Sequence, residues 1–375
     1  MTAITPGLVT TVIPVRNRPR LVAEAVNSVL AQTYRAVEII IIDSSTDETI
    51  QVCEALALRH PDTIVHVQQP AAGIPAARNA GITRARGAYI QFLDSDDLIA
   101  PEKFERQVAA LENHPACGIS YCRTREYRVG GTWHGGPARR TGERMATLFP
   151  HILRGRVWPT PSPLYRRAVV DANGPVRPLA IYEDWEYEAR AAARHVKLHY
   201  CDEFLADKRD VHELEGLRKG AIYPHQWRDY AAVHHHVFEH AVRAGAGHDA
   251  LDRFAWRVMH AARRCASEGY HAEAASLIAL ARAAASGAGR RLGITALELS
   301  MRHAGWQPVA RSIDWFDRAA PLNAARRVRA VGGFAARWRH RAQQARLAVS
   351  GQRLSAWPDL LASRWAARQS RPRIP

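Results

Sequence analysis

The chain has 375 residues, 47% of them hydrophobic and 23% charged, an ordinary globular balance with room for one large core and a smaller second region. Its five cysteines, Cys53, Cys117, Cys122, Cys201 and Cys265, are scattered and form no CxxC pair, which argues against a disulfide framework or zinc site and favours a reducing cytosol. No run approaches the ~20 apolar residues of a membrane span, no leader pattern opens the chain, and the net charge of +16 suggests an anionic partner; the expectation is a soluble, cytoplasmic protein.

In chain order, Val9 to Pro14 reads as a first strand that stops at a proline, with Arg16 to Pro19 as the loop after it. From Arg20 the apolar Leu21, Val22, Ala25, Val26, Val29 and Leu30 recur at helical spacing, predicting an amphipathic helix to Gln32. Val37 to Ile42 reads as a central strand buried on both faces. Asp43 ends it, and Ser44 to Asp47 offer N-cap side chains for a helix over Glu48–Leu58. A short strand is predicted at Ile64–Val67. Pro75 suits a first helical turn and Gly87 a C-terminal cap, bracketing a helix that carries Arg78 and Asn79. A strand over Ala88–Leu93, a helix over Pro101–Asn113 and a strand over Cys117–Tyr121 follow. This alternation implies a mostly parallel sheet covered by helices on both sides. Ligands bind such sheets at the carboxyl ends of strands, where Pro14, Asp43 and Asp94 all fall.

Gly130 to Gly142 reads as a mobile loop, and Thr160 to Pro163 as a rigid extended connector. A helix begins at Ile181 with Glu183 and Asp184 in its first turn, where the helix dipole alone would favour carboxylates. Beyond Tyr223, residues 226–244, 249–268 and 271–286 read as Ala-rich helices. The adjacent His234, His235 and His236 cannot all face one metal from a helix, so they read as surface or packing residues. From Pro321 the chain carries twelve arginines against the single acid Asp359, with Trp338, Trp357 and Trp365 among them. That composition fits a packed extension, a disordered tail or a segment lying on an anionic membrane surface; no nucleic-acid recognition motif accompanies it. The expected divisions are 1–222, an α/β domain; 223–320, an α-helical accessory region; and 321–375, a basic tail.

Ala88 to Asp97, AYIQFLDSDD, holds the densest charge: Asp94, Asp96 and Asp97 crowd round Ser95 just past a buried strand. A hard divalent cation with oxygen ligands would compensate them; a solvated turn is the alternative. With this stretch, IIIIDSSTDET (39–49), GIPAARNAGITRARGAYIQFLDSDD (73–97) and IYEDWEYEAR (181–190) resemble, in order and spacing, the family 2 glycosyltransferases of the GT-A fold, over roughly residues 8–215.

The resemblance implies an inverting, metal-dependent transfer of a sugar from a nucleotide-diphosphate donor to a glycan, lipid-linked or protein acceptor, with Mn²⁺ or Mg²⁺ as cofactor. It implies that Pro14, Val15, Arg16, Asn17, Asp43, Arg78, Asp94 and Ser95 bind the nucleotide sugar, that Asp96 and His212 hold the metal, and that Asp184 is the general base. Asp97, Glu183, Trp185 and Arg209 support them. Two departures stand out. The family usually shows two acids after its second strand where this chain has Asp43 then Ser44, and Arg16 replaces its usual Tyr. A phosphohydrolase or nucleotidyltransferase would carry an early DxDxT-like or Gly-rich phosphate motif, which is missing. An inactive sugar-binding module would be expected to have lost Asp96 or Asp184, and both are present.

Overall fold

The structure is a computed structural model that describes residues 3–127, 132–211 and 221–305. The strands are β1 (Thr5–Val15), β2 (Val37–Asp43), β3 (Ile64–Gln68), β4 (Gly87–Phe92), β5 (Leu98–Ile99), β6 (Cys117–Tyr127), β7 (Trp133–Pro137), β8 (Leu164–Arg166) and β9 (Lys197–Arg209). The helices are α1 (Pro19–Leu30), α2 (Thr49–Arg59), α3 (Gly73–Arg84), α4 (Lys103–Asn113), α5 (Arg167–Asn173), α6 (Glu183–Ala193), α7 (Trp227–Arg243), α8 (His248–Ser267), α9 (His271–Ala284) and α10 (Ala288–Ala304). The strands form one mixed sheet in the order β3-β2-β1-β4-β8-β6-β9-β5, with β7 paired to β6. β1 to β4 run parallel, β8 is antiparallel to both its neighbours, and β6 and β9 are parallel. This is the α/β sheet with flanking helices and a helical C-terminal region that the sequence implied.

β2 shows why a β-branched run makes a central strand. Ile39 and Ile41 enter one core, with α1, α2 and α4, while Ile40 and Ile42 enter the other, with α6 and the helices beyond Tyr223. All four are at most 1% exposed, and each such burial is worth about 1.5–3 kcal/mol. The strand's Glu38 is also buried, where it accepts from Thr10 Oγ1 at 2.5 Å and from the Arg86 backbone N–H at 3.0 Å.

Two glycines set close approaches. A Cβ on Gly81 would lie 2.3 Å from Val12 Cγ1, so α3 can sit directly on β1. The sequence suggested Gly87 as a helix cap. Instead α3 ends at Arg84 with Ala85 as its C-cap, and Gly87 opens β4, where a Cβ would meet Thr10 N at 2.6 Å and Leu8 O at 2.7 Å. The expected loop between Gly130 and Gly142 contains β7, because its extended segment adds to the edge of β6.

The helices beyond Tyr223 share a core with the sheet. Trp185 on α6 donates from Nε1 to Ile152 O at 2.9 Å and meets His234 of α7 edge-on at 5.1 Å. Burial holds the His234 imidazole down to about 3, so it packs as a neutral ring. Glu186, fully buried on the same helix, accepts from Arg177 at 2.9 Å, Arg190 at 2.9 Å and His240 of α7 at 3.0 Å.

That cluster yields a stability prediction. Burial raises the Glu186 carboxyl, but the bond from His240 and the charges of Arg190 and Arg177 outweigh it, so its folded pKa lies below the ordinary 4.5. The stabilisation is therefore complete above 4.5 and is lost as pH falls through the lowered folded value. Glu186→Ala removes the acceptor shared by buried His240, half-buried Arg190 and exposed Arg177, and should cost about 3 kcal/mol by denaturant unfolding at pH 7. A loss below about 1 kcal/mol would show that the cluster is solvated in solution.

Candidate active site

The carboxyl ends of β1, β2 and β4 meet at one rim, and hydrogen bonds lace their loops together. Pro14 and Val15 pair in register with Ile42 and Asp43. Asn17, with φ of 53°, takes the left-handed conformation that Asn tolerates. Its backbone N–H donates to Ser45 Oγ at 2.9 Å, and its Oδ1 accepts from Thr46 N–H at 2.9 Å. Arg16 beside it is exposed.

Asp43 is fully buried; Oδ1 accepts from Ser45 N–H at 2.8 Å and Oδ2 lies 3.1 Å from His66 Nε2. His66 is the Asp43 partner that sequence reading missed, since only the β2–β3 register brings them together. Among the described residues, Asp43, Cys53 and His66 also form a group of possible ligands whose atoms lie within 4.8 Å of one another. Burial, then the Asp43 charge, pushes the Cys53 thiol up to about 12, so it stays protonated.

After β4 the chain turns, with Asp97 N–H bonded to Asp94 O at 3.0 Å. The three carboxylates face different partners. Asp94 Oδ1 accepts from Arg78 Nη2 at 3.0 Å, and Asp96 Oδ2 is 3.2 Å from Arg18 Nη1. Asp97 Oδ1 accepts from the Arg209 backbone N–H at 2.9 Å, while the Arg209 guanidinium reaches Asp96 O and Glu24. Arg209 thus braces the acidic turn. Burial raises the Asp96 carboxyl above its ordinary range despite Arg18, and it raises Asp97 well above that range despite Lys208. Ser95 is buried between them.

This turn forms no cluster of three mutually close ligand atoms among the described residues. Its donors are all hard oxygens, although protein cations already face them: Arg78 at Asp94, Arg18 at Asp96 and Lys208 near Asp97. It therefore fits an ion that takes one or two carboxylates and completes its shell with phosphate oxygens and water, as Mg²⁺ and Mn²⁺ do. His212, the other expected ligand, lies outside the described residues.

Arg78 joins this turn to the fourth element of the site. It projects from α3, 5% exposed, with its guanidinium 5.8 Å from the Phe92 ring centroid. Nη2 donates to Asp94, and Nη1 donates to Glu183 Oε1 at 3.0 Å. α6 starts from Tyr182, a bulky residue at φ of 58°, where a left-handed backbone is strained. Asp184 follows: its Oδ1 accepts from Trp185 N–H at 2.7 Å and its Oδ2 from Arg156 Nη1 at 2.7 Å. Burial would raise the Asp184 carboxyl, but Arg156, Arg139 and Arg78 outweigh it and hold it below the ordinary carboxylate range. Trp185 turns away from the rim into the core. Arg18 and Arg156, in loops, and Lys208, near the end of β9, are site cations to which the sequence assigned no role, because a lone arginine or lysine carries no pattern of its own.

The strand ends of this α/β sheet thus bring an acidic turn, a half-buried carboxylate pair and cations to one site. Residues 10–169 match the family model "Glycosyl transferase family 2". It is 30% identical over 205 residues to an uncharacterized glycosyltransferase of Nostoc sp., a match covering 52% of this chain and 60% of that protein. It is 33% identical over 106 residues to the minor teichoic acid biosynthesis protein GgaB of Bacillus subtilis, covering 28% of this chain and 12% of GgaB. The chain therefore spans less than two thirds of either relative. Among solved structures, S. aureus TarS 1–349, seen in complex with UDP-GlcNAc, shares the fold with a TM-score of 0.60 over 84% of this chain and 93% of that one, at 17% identity.

The geometry makes Arg78 the link between the acidic turn and α6. Arg78→Met should leave Asp94 and Glu183 uncompensated and cost about 3–5 kcal/mol of unfolding free energy. Adding Glu183→Gln should recover part of that loss, and strictly additive losses in the double-mutant cycle would mean the two groups do not interact.

Proposed function

We propose that this protein transfers a sugar from a nucleotide-diphosphate donor to an acceptor hydroxyl, with inversion, using Asp184 as general base and Mn²⁺ or Mg²⁺ as cofactor. The observation that carries the reading is Arg78, whose single guanidinium bonds the acidic turn at Asp94 and the start of α6 at Glu183. It sets the group that would meet the departing diphosphate beside the group that would take the acceptor's proton.

In this reading the loops of Pro14, Val15, Arg16 and Asn17 and of Asp43 hold the nucleoside, and Asp94, Ser95 and Arg78 face the ribose and diphosphate. Asp96, with His212 as a second candidate ligand, would hold the metal, which when bound would supply positive charge at the leaving diphosphate. Asp184 removes the acceptor proton as the hydroxyl attacks the anomeric carbon. Its lowered pKa keeps it ionised at neutral pH, and Arg156 must release or share it when an acceptor arrives. Asp97, Glu183 and Arg209 hold these groups in place, and Trp185 anchors α6. The teichoic-acid relative supports a cell-surface glycan or glycoconjugate as the product class, and a UDP-hexose is the first donor to test. Among the described residues no helix is long and apolar enough to cross a membrane. Contact of the basic tail with an anionic membrane at its inner face belongs to this proposal; the tail lies outside the described residues.

The test is release of nucleoside diphosphate from a panel of UDP-, GDP- and dTDP-sugars with Mn²⁺ or Mg²⁺. Asp96→Asn should lose on the order of 10²–10³ in kcat. Asp184→Asn should lose transfer while binding nucleoside diphosphate as the wild type does, and an equal loss of that affinity would reassign Asp184 to a structural role.

A pH profile separates the base from its neighbours. Arg156→Ala removes the strongest influence holding the Asp184 pKa down, so that pKa rises. The base acts ionised, so the acid limb of kcat/KM should move to higher pH. An acid limb that stays in place would exclude Asp184 as the group it reports.

A further inference from the structure

One helical turn beyond Asp184, Glu188 carries a buried carboxyl group that the fold satisfies only in part, with the Trp158 indole and the charges of Arg156 and Arg139 near it. It is 4% exposed, and among the described residues its Oε2 has no hydrogen-bond partner. Glu186, on the same helix, is a structural acid of the opposite kind, because three side chains donate to its carboxylate. Glu188 has no such shell. The neighbouring Trp158 indole N–H also makes no hydrogen bond of ordinary geometry, and neither does the Tyr187 hydroxyl.

These loose ends have a place to go. Residues four apart on a helix share a face, and Asp184 and Glu188 line one pocket with Arg78, Phe92, Thr160 and Tyr165. The pocket has a volume of about 20 Å³, room for one hydroxyl group and not for a whole ring, so a sugar bound at the rim would reach Glu188 through a single OH. Burial, then the Asp184 charge, pushes the Glu188 carboxyl well above the usual range. A protonated carboxyl both donates and accepts, as a hydroxyl does.

We propose that Glu188 is a specificity-determining residue that hydrogen-bonds a sugar hydroxyl in this pocket. The inference rests on the glycosyl-transfer reading above and adds the residue that selects the sugar. The hydroxyl can belong to the donor hexose or to a sugar acceptor, and the experiment distinguishes them.

The probes are the nucleotide sugar that the wild type cleaves best in the donor panel, its deoxy analogues, deoxy analogues of the acceptor and the matching nucleoside diphosphate. Glu188→Leu should bind the nucleoside diphosphate unchanged and lose about ten-fold or more in kcat/KM. Glu188→Gln, which keeps a donor and an acceptor, should stay within about three-fold of the wild type. Weaker binding of the nucleotide sugar assigns the hydroxyl to the donor; a rise confined to the acceptor KM assigns it to the acceptor. The wild type should also reject one deoxy analogue about ten-fold or more, and Glu188→Leu should not. If Glu188→Leu does not fold, the deoxy series on the wild type and Glu188→Gln decides the question alone. Unchanged kcat/KM in Glu188→Leu together with a higher Tm, or no discrimination among deoxy sugars by the wild type, overturns the proposal. A wild type that releases no nucleoside diphosphate from any sugar overturns the transfer reading itself, and with it this one.

Discussion

The guanidinium of Arg78 is the interaction on which the rest of this site depends. It lies in a nearly water-free position, and both of its arms end on carboxylates, Asp94 past β4 and Glu183 at the start of α6. Two acids far apart in sequence share one rigid, always-charged fork, a role that lysine could not fill with the same geometry. The fork reaches them because α3 lies directly on β1, and α3 lies there because Gly81 has no side chain to meet Val12. A small residue in a helix thus fixes the relation between two loops neither of which it touches.

The second constraint comes from behind the site. α6 bears Asp184 on its first turn, and its far side is clamped by residues of α7 and α8. Trp185 meets His234 edge-on at 5.1 Å, lies under the Arg257 guanidinium at 4.7 Å, and shares its core with Phe254, while Glu186 is tied to His240. The helices beyond Tyr223 therefore buttress the helix that presents Asp184, as much as they form a region of their own. Rigid support of this kind is what holds a reacting group within the narrow tolerance that proton transfer demands.

Much of the architecture could be read from the sequence, because residues 9–121 keep clean helical and strand periodicities and the turns between them carry their own chemistry. The strand ends at Pro14, Asp43 and Asp94, and the helix starting near Glu183, needed no tertiary information. β8, α5 and β7 were not foreseen because each is too short to show a period and depends on its neighbours for pairing. The site was legible as acids and illegible as pairs. Asp96 stands out by its crowding, but nothing in the chain says that Arg18 would face it, or that Arg156 would hold Asp184, since contacts across 78 and 28 residues are made by the fold. Glu188 was hidden for a different reason: a glutamate in an acidic helix looks solvated until its burial is known.

The lacing of the first two loops has a consequence for anyone who would rebuild this protein. Asn17 gives a bond to Ser45 and receives one from Thr46, and its left-handed backbone suits few other residues. The two segments therefore behave as a single interchangeable part. A transplant of residues 16–18 that replaced Asn17 would leave Ser45 and Thr46 without their counterpart, and a transplant of residues 43–47 would do the same in reverse. Recombination between homologues would have to carry both segments together, which makes the pair, and not either loop, the unit that can be exchanged.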